Sequence, residues 1–222
     1  MFQRKPLRDD VQKEILSRIV DGRLAAGSRI NETHLAADLG LSRTPLREAM
    51  ITLVARGFLK SDMGRGFANP ALDPVQFREI QAILSRLEPF ALSDANTLSP
   101  QTVMELNNLV NRARLKMGRD PIWPQQAEAL TLLVFQWSHL IMGHCRNLML
   151  KTEIERFQGL ASRYWYSVAR QGFPFEDLLA SYNQFYELLR SGRSEDACGL
   201  WADQTNYFSE AATNILMDNA AG

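Results

Sequence analysis

Ser42, Arg43, Thr44 and Arg47 lie within six residues and combine two hydroxyls with two guanidinium groups. A guanidinium can bond bidentately to the O6 and N7 edge of guanine, and hydroxyls reach phosphate oxygens or base edges. The chemistry on offer is recognition of duplex DNA, provided that one rigid element carries these side chains on a shared surface. A second basic feature, Arg65 between Gly64 and Gly66, sits on what reads as a tight turn. No paired carboxylates, nucleophile beside a base, or phosphate-cradling loop accompanies them, so the chain is read as non-enzymatic and no catalytic residue is assigned. His144 and Cys145 are adjacent on a helical pattern, where neighbours diverge, and form no dyad.

The elements needed to position these groups are legible around them. In Asn31–Arg47, NETHLAADLGLSRTPLR, the apolar Leu35, Ala36 and Leu39 keep helical spacing behind a possible N-cap at Asn31. Gly40 suits the left-handed end of that helix, and Ser42 is placed to cap the next. Pro45 falls in a first turn, where no backbone donor is lost. The second helix buries Leu46, Ala49, Met50 and Leu53 and turns Arg43, Thr44 and Arg47 outward, the division a DNA-reading helix requires. A preceding helix is predicted over Leu7–Asp21 from Val11, Ile15 and Ile19. After Gly57, two short runs, Phe58–Ser61 and Phe67–Asn69, flank the turn Asp62–Gly66 as a β-hairpin wing.

The expected fold is therefore mostly α: a winged helix-turn-helix domain over 1–70, a linker over 71–76, and an antiparallel all-α bundle of about six helices over 77–222. The bundle helices are predicted from about Pro74 to Asn96, from Ser99-Pro100 onward, over Gln125–His144, Leu148–Ala169, Phe175–Arg190 and Ser194–Met217. A break containing two prolines is expected over Gly118–Pro124. The aromatic run Tyr164-Trp165-Tyr166 lies in a helical pattern and is read as core and rim rather than as a stacking platform.

The chain has 222 residues and no net charge. Up to Pro70 there are twelve Lys and Arg against eight Asp and Glu, and beyond it thirteen against seventeen. Phosphate-seeking charge thus collects in the N-terminal part. No apolar run approaches the roughly 18 residues that would span a bilayer. The N-terminus lacks the apolar core of a secretory signal, so the expected location is cytoplasmic. Cys145 and Cys198 have neither metal nor redox spacing and are read as inert thiols.

The stretch GRLAAGSRINETHLAADLGLSRTPLREAM resembles the corresponding motif of the GntR family of transcription regulators, and the lead-in helix and GxG wing match in order. Beyond it, Leu87-Glu88, Asn147 with Leu150, and Arg190-Ser191-Gly192 resemble marks of the subfamily with an FCD-type C-terminal domain. The resemblance implies a homodimer on an inverted-repeat operator, repressing transcription under control of a small-molecule effector. It implies base and backbone contacts for Arg43 and Arg47, with Ser42 and Thr44 on phosphate. Gly64, Arg65 and Gly66 fall at the wing tip that enters the minor groove, where a cation suits A·T-rich DNA. Arg47 has an alternative role, bonding Glu32 or Asp38 across the motif. Thr33 stands where relatives often carry Arg, which puts the operator sequence in question.

Many relatives hold a divalent metal through one Asp and three His. Here those positions fall on Val134, Ser138, Tyr182 and Gln204, and His139 is one residue out of register. With Leu84 in place of a pocket Arg, the resemblance implies no metal and no cofactor. It leaves an effector pocket lined by Leu84, Val134, Ser138, Tyr182 and Gln204, suited to an apolar or acyl-type ligand. The competing expectation is that these side chains are packed core and that the bundle only dimerises.

Overall fold

A computed structural model describes residues 8–62, 64–94, 98–117 and 123–220. They fall into two compact units, residues 1–72 and 73–222. The first contains α1 (Arg8–Val20), α2 (Glu32–Asp38), α3 (Arg43–Ala55) and the hairpin of β1 (Lys60–Asp62) and β2 (Gly66–Ala68). The expected start of α1 at Leu7 lies outside the described residues. The core of this unit is the predicted one, with Ile15, Leu46, Met50 and Leu53 wholly buried where α1 and α2 pack on α3.

Strands β1 and β2 pair antiparallel with Ser61 opposite Phe67. The hairpin gains a third edge that the sequence did not signal. Ile30 donates its amide to the Phe67 carbonyl at 2.9 Å, and Asn69 donates to the Ser28 carbonyl at 2.9 Å. The wing is thereby hydrogen-bonded to the segment leading into α2. Gly64 and Gly66 have φ of 76° and 81°, so the turn uses backbone angles that favour glycine.

The second unit is helical throughout its described residues: α4 (Pro74–Asp94), α5 (Pro100–Met117), α6 (Trp123–Leu130), α7 (Trp137–Met142), α8 (Leu148–Val168), α9 (Phe175–Arg190) and α10 (Ser194–Ala220). A π-helical stretch, Thr131–Gln136, joins α6 to α7 without a break, so these three make one long helix and the described residues of the bundle form six. The expected linker over 71–76 is corrected. Helix α4 begins inside it, because the Asp73 carboxylate accepts the Val75 amide at 2.9 Å and Pro74 opens the first turn. Most of the expected break at Gly118–Pro124 lies outside the described residues, although Trp123 and Pro124 already belong to α6.

The bundle core is aromatic. Trp137 meets Tyr182 and Phe185 edge-on, with ring centroids 4.9 and 5.5 Å apart, and Phe185 meets Trp201 at 4.8 Å. Helix α10 packs along α4, and α8 covers α4 from another side. Two irregularities interrupt this regular packing: the π stretch, and Pro89 within α4, which cannot donate to the Ser85 carbonyl. Substituting Leu46, which has no exposed surface, by Ala is expected to lower stability by about 2–5 kcal/mol in urea unfolding. A loss well under 1 kcal/mol would contradict this account of the head domain's core.

Candidate nucleic-acid interface and bundle cavity

Helix α3 presents its first turn to solvent. Ser42 occupies the N-cap position with φ −77° and ψ 161°, yet its hydroxyl makes no capping bond, and the first turn holds no acidic residue. The amides there, which lack partners further back in the helix, receive no acceptor from the cap side chain. The contrast with α2 is direct, since Asn31 caps that helix by accepting the His34 amide at 3.0 Å. Ser42, Arg43 and Thr44 are all exposed, and among the described residues Arg43 makes no ion pair. This end of α3 combines open backbone donors, two hydroxyls and a guanidinium, which together suit a phosphate and an adjacent base edge.

Arg47 is placed differently. Its Nη1 donates to both carboxylate oxygens of Glu32, at 2.8 and 3.0 Å, and its guanidinium lies 5.4 Å from the ring centroid of Phe67. Of the two acids named for the alternative role of Arg47, Glu32 is the one it bonds. Glu32 also approaches the wing, where a Cβ added at Gly66 would stand 3.2 Å from its Oε1. Arg47 and Glu32 thus tie α2, α3 and β2 together. Arg65 is exposed at the wing tip, with its amide donating to the Asp62 carbonyl at 2.9 Å. Arg29, which sequence reasoning did not single out, stands exposed on the edge paired to β2 and faces Asp62 at 4.0 Å.

In the bundle, Leu84, Val134, Ser138, Tyr182 and Gln204 line one central cavity of about 50 Å3. Sequence reasoning missed the group at its centre. Glu88 is buried, and its carboxylate accepts from Ser138 Oγ at 3.1 Å, Gln158 Nε2 at 2.5 Å and Trp201 Nε1 at 2.8 Å. Gln158 also bonds the Ser138 hydroxyl. Burial pushes the Glu88 carboxyl above the usual carboxylate range, against the pull of its three donors. Burial, and then the charge of Glu88, raise the Tyr182 phenol far above its ordinary value. Glu88 was visible in the sequence only as part of the Leu87-Glu88 mark, while Gln158 and Trp201 carried no signal at all.

The donor set does not fit a divalent metal. The four positions compared with metal ligands are Val134, Ser138, Tyr182 and Gln204, and the amide oxygen of Gln204 is already taken by the Ser181 hydroxyl at 2.5 Å. Glu88 is a single carboxylate committed to three neutral donors, and among the described residues no three His, Cys, Asp or Glu side chains gather as a metal site. His139 is exposed and lines a separate, open groove of about 1030 Å3 bordered by α5, α7 and α8. That groove and the central cavity share Phe135 and Gln158.

Residues 7–68 match the family model for bacterial regulatory proteins of the gntR family. The HTH-type transcriptional regulator McbR of Escherichia coli strain K12 is 33% identical over 103 residues, which cover 46% of this chain and 47% of that one. The regulator YdhC of Bacillus subtilis strain 168 is 40% identical over 79 residues, covering 36% and 35%. A protein of Paenarthrobacter nicotinovorans named as a probable D-xylose utilization operon repressor is 36% identical over 88 residues, covering 40% and 39%. The chain spans less than half the length of each of these relatives, all named as regulators of transcription rather than enzymes. The fold extends further. The structure of E. coli McbR/YncC aligns over 93% of this chain and 95% of its own, with a TM-score of 0.75 and 22% identity. A GntR regulator structure from Rhodococcus sp. RHA1 covers 94% and 97%, with a TM-score of 0.72 and 18% identity. No helix among the described residues is long and apolar enough to cross a membrane.

Because the folded chain holds the Glu88 proton more tightly than the unfolded chain, this group's stabilising contribution is full below the ordinary carboxyl range. It is lost as the pH rises through that range and above it. Tyr182 is the other titratable side chain lining the cavity, and its upward shift keeps it neutral in this window. Wild-type stability measured against Glu88→Gln in urea is therefore expected to fall as the pH rises from the ordinary carboxyl range, near 4.5, upward. A flat or rising difference would refute the buried, cation-free setting of Glu88.

Proposed function

We propose that this chain, whose residues 7–68 match the gntR family of bacterial regulatory proteins, is a homodimeric repressor of that family controlled by a small molecule. The observation that carries the DNA half is the open first turn of α3, with exposed Ser42, Arg43 and Thr44 beside amides that no cap satisfies. Arg43 reads a base edge in the major groove, Ser42 and Thr44 hold phosphate, and Arg65 between Gly64 and Gly66 enters the minor groove. Arg47 sets the angle between α3 and the wing through Glu32 and contacts DNA from that position. Two-fold symmetry of the dimer mirrors an inverted-repeat operator in the cytoplasm. The relative named as an operon repressor supports repression.

The effector half rests on the cavity around Glu88. In place of the apolar or acyl-type effector expected from the sequence, the small volume and the buried carboxylate favour a compact polar ligand, bound without metal. Ligand in the cavity changes operator affinity, and operator changes ligand affinity by the same factor. A second reading, in which the bundle only dimerises, draws support from how little of the cavity is empty. Thermal shift against a metabolite library separates the two, because a specific ligand raises the melting temperature with concentration.

With an operator selected from random duplexes, Arg43→Ala is expected to weaken specific binding by about 1–3 kcal/mol and leave the melting temperature unchanged. Arg47→Ala is expected to weaken binding and also to lower the melting temperature slightly, because a contact internal to the head is lost with it. Unaltered operator affinity in Arg43→Ala would remove it as the reader.

A further inference from the structure

Glu88 is the one charged side chain among the described residues that line the central cavity, and no Lys, Arg or His accompanies it. Its partners, Ser138, Gln158 and Trp201, are neutral donors, so its ionised form has no opposite charge within the lining. Five aromatic side chains border the same space, among them Trp165, Tyr182 and Phe208. Ring faces around a desolvated site attract ammonium groups. Gln81, seven residues before Glu88 and so on the same face of α4, also lines the cavity. It is 3% exposed, and its Nε2 is buried without a hydrogen-bond partner among the described residues. Such a donor gains from any acceptor brought to it. The space, about 50 Å3, exceeds the about 10–15 Å3 needed for one water and suits a ligand of a few heavy atoms.

We infer that the cavity binds a small ammonium ligand bearing an oxygen acceptor, of the amino-alcohol kind, with the ammonium on Glu88 and the oxygen on Gln81. This rests on the effector-cavity reading above and gives the compact polar ligand a positive charge. Phe135 and Gln158 line both this cavity and the open groove.

The test uses the full chain and three probes of matched size, ethanolammonium chloride, ethylene glycol and sodium glycolate, with ethylammonium chloride as a fourth for the comparison at Gln81. Trp165 and Trp201 line the cavity, so intrinsic fluorescence reports occupancy beside the thermal midpoint. Ethanolammonium is expected to give a saturable fluorescence change and a rise in melting temperature, and the other two are not. Glu88→Gln is expected to weaken the response about tenfold or more. If that variant does not fold, Gln81→Leu decides, since it is expected to abolish the preference for ethanolammonium over ethylammonium. A response retained in full by Glu88→Gln, or a preference retained by Gln81→Leu, overturns the assignment. A saturable response to glycol or glycolate alone also overturns it while leaving the effector cavity standing. Silence to all three overturns it too, and the library screen then judges the effector reading separately.

Discussion

Placing a carboxyl group at the centre of an apolar bundle imposes a condition on everything around it. Removed from water, the group must find hydrogen-bond donors or remain at a cost of several kcal/mol. Glu88 on α4 finds them on three other helices: Ser138 on α7, Gln158 on α8 and Trp201 on α10. The relative placement of four helices is thereby coupled to one side chain. Edge-to-face contacts among Trp137, Tyr182, Phe185 and Trp201 fill the space behind these bonds and keep water from replacing them. A cluster of this kind favours one packing, because any register that moves a donor takes from the carboxyl one of its three hydrogen bonds.

The head domain solves a simpler problem by dividing faces. Leu46, Ala49, Met50 and Leu53 bury one side of α3, which leaves its N-terminal end free of packing duties. The Glu32 carboxylate meets Arg47 beside the wing, so a charge-assisted contact adds to the burial of Phe58, Leu59 and Phe67 in holding the hairpin against the reading helix. The absence of an acidic residue in the first turn of α3 has the same sense, because a carboxylate there would occupy the donors that a phosphate needs.

Legibility in the sequence followed the range of the interactions. Local signals located the helices well: periodic apolar residues, Asn31 as cap, and glycines at Gly40, Gly64 and Gly66. The five side chains proposed for the cavity meet at one place, because that alignment used helix registers already marked by neighbouring motifs. Long-range pairings were not legible. Nothing near Gln158 or Trp201 announces that each points at Glu88, 70 and 113 residues away. The edge that Ser28 and Ile30 add to the wing has the same character, since lone backbone bonds carry no side-chain pattern. The role of Arg47 depended on which of two acids lay nearer, a question of angle rather than spacing.

The π stretch Thr131–Gln136 acts as a phase shifter between α6 and α7. Wider winding over those residues delays the helix by about one residue's rotation, about 100°, relative to continuous α-helix. The delay sets which side of α7 meets α4. Wound as ordinary α-helix with α6 unmoved, the segment would carry Ser138 away from Glu88 and bring a neighbouring position round in its place. The chemistry of the cavity is therefore written partly in helical phase, where no single residue identity records it. A chain could alter what the cavity offers by gaining or losing one residue in this stretch, with every lining side chain unchanged.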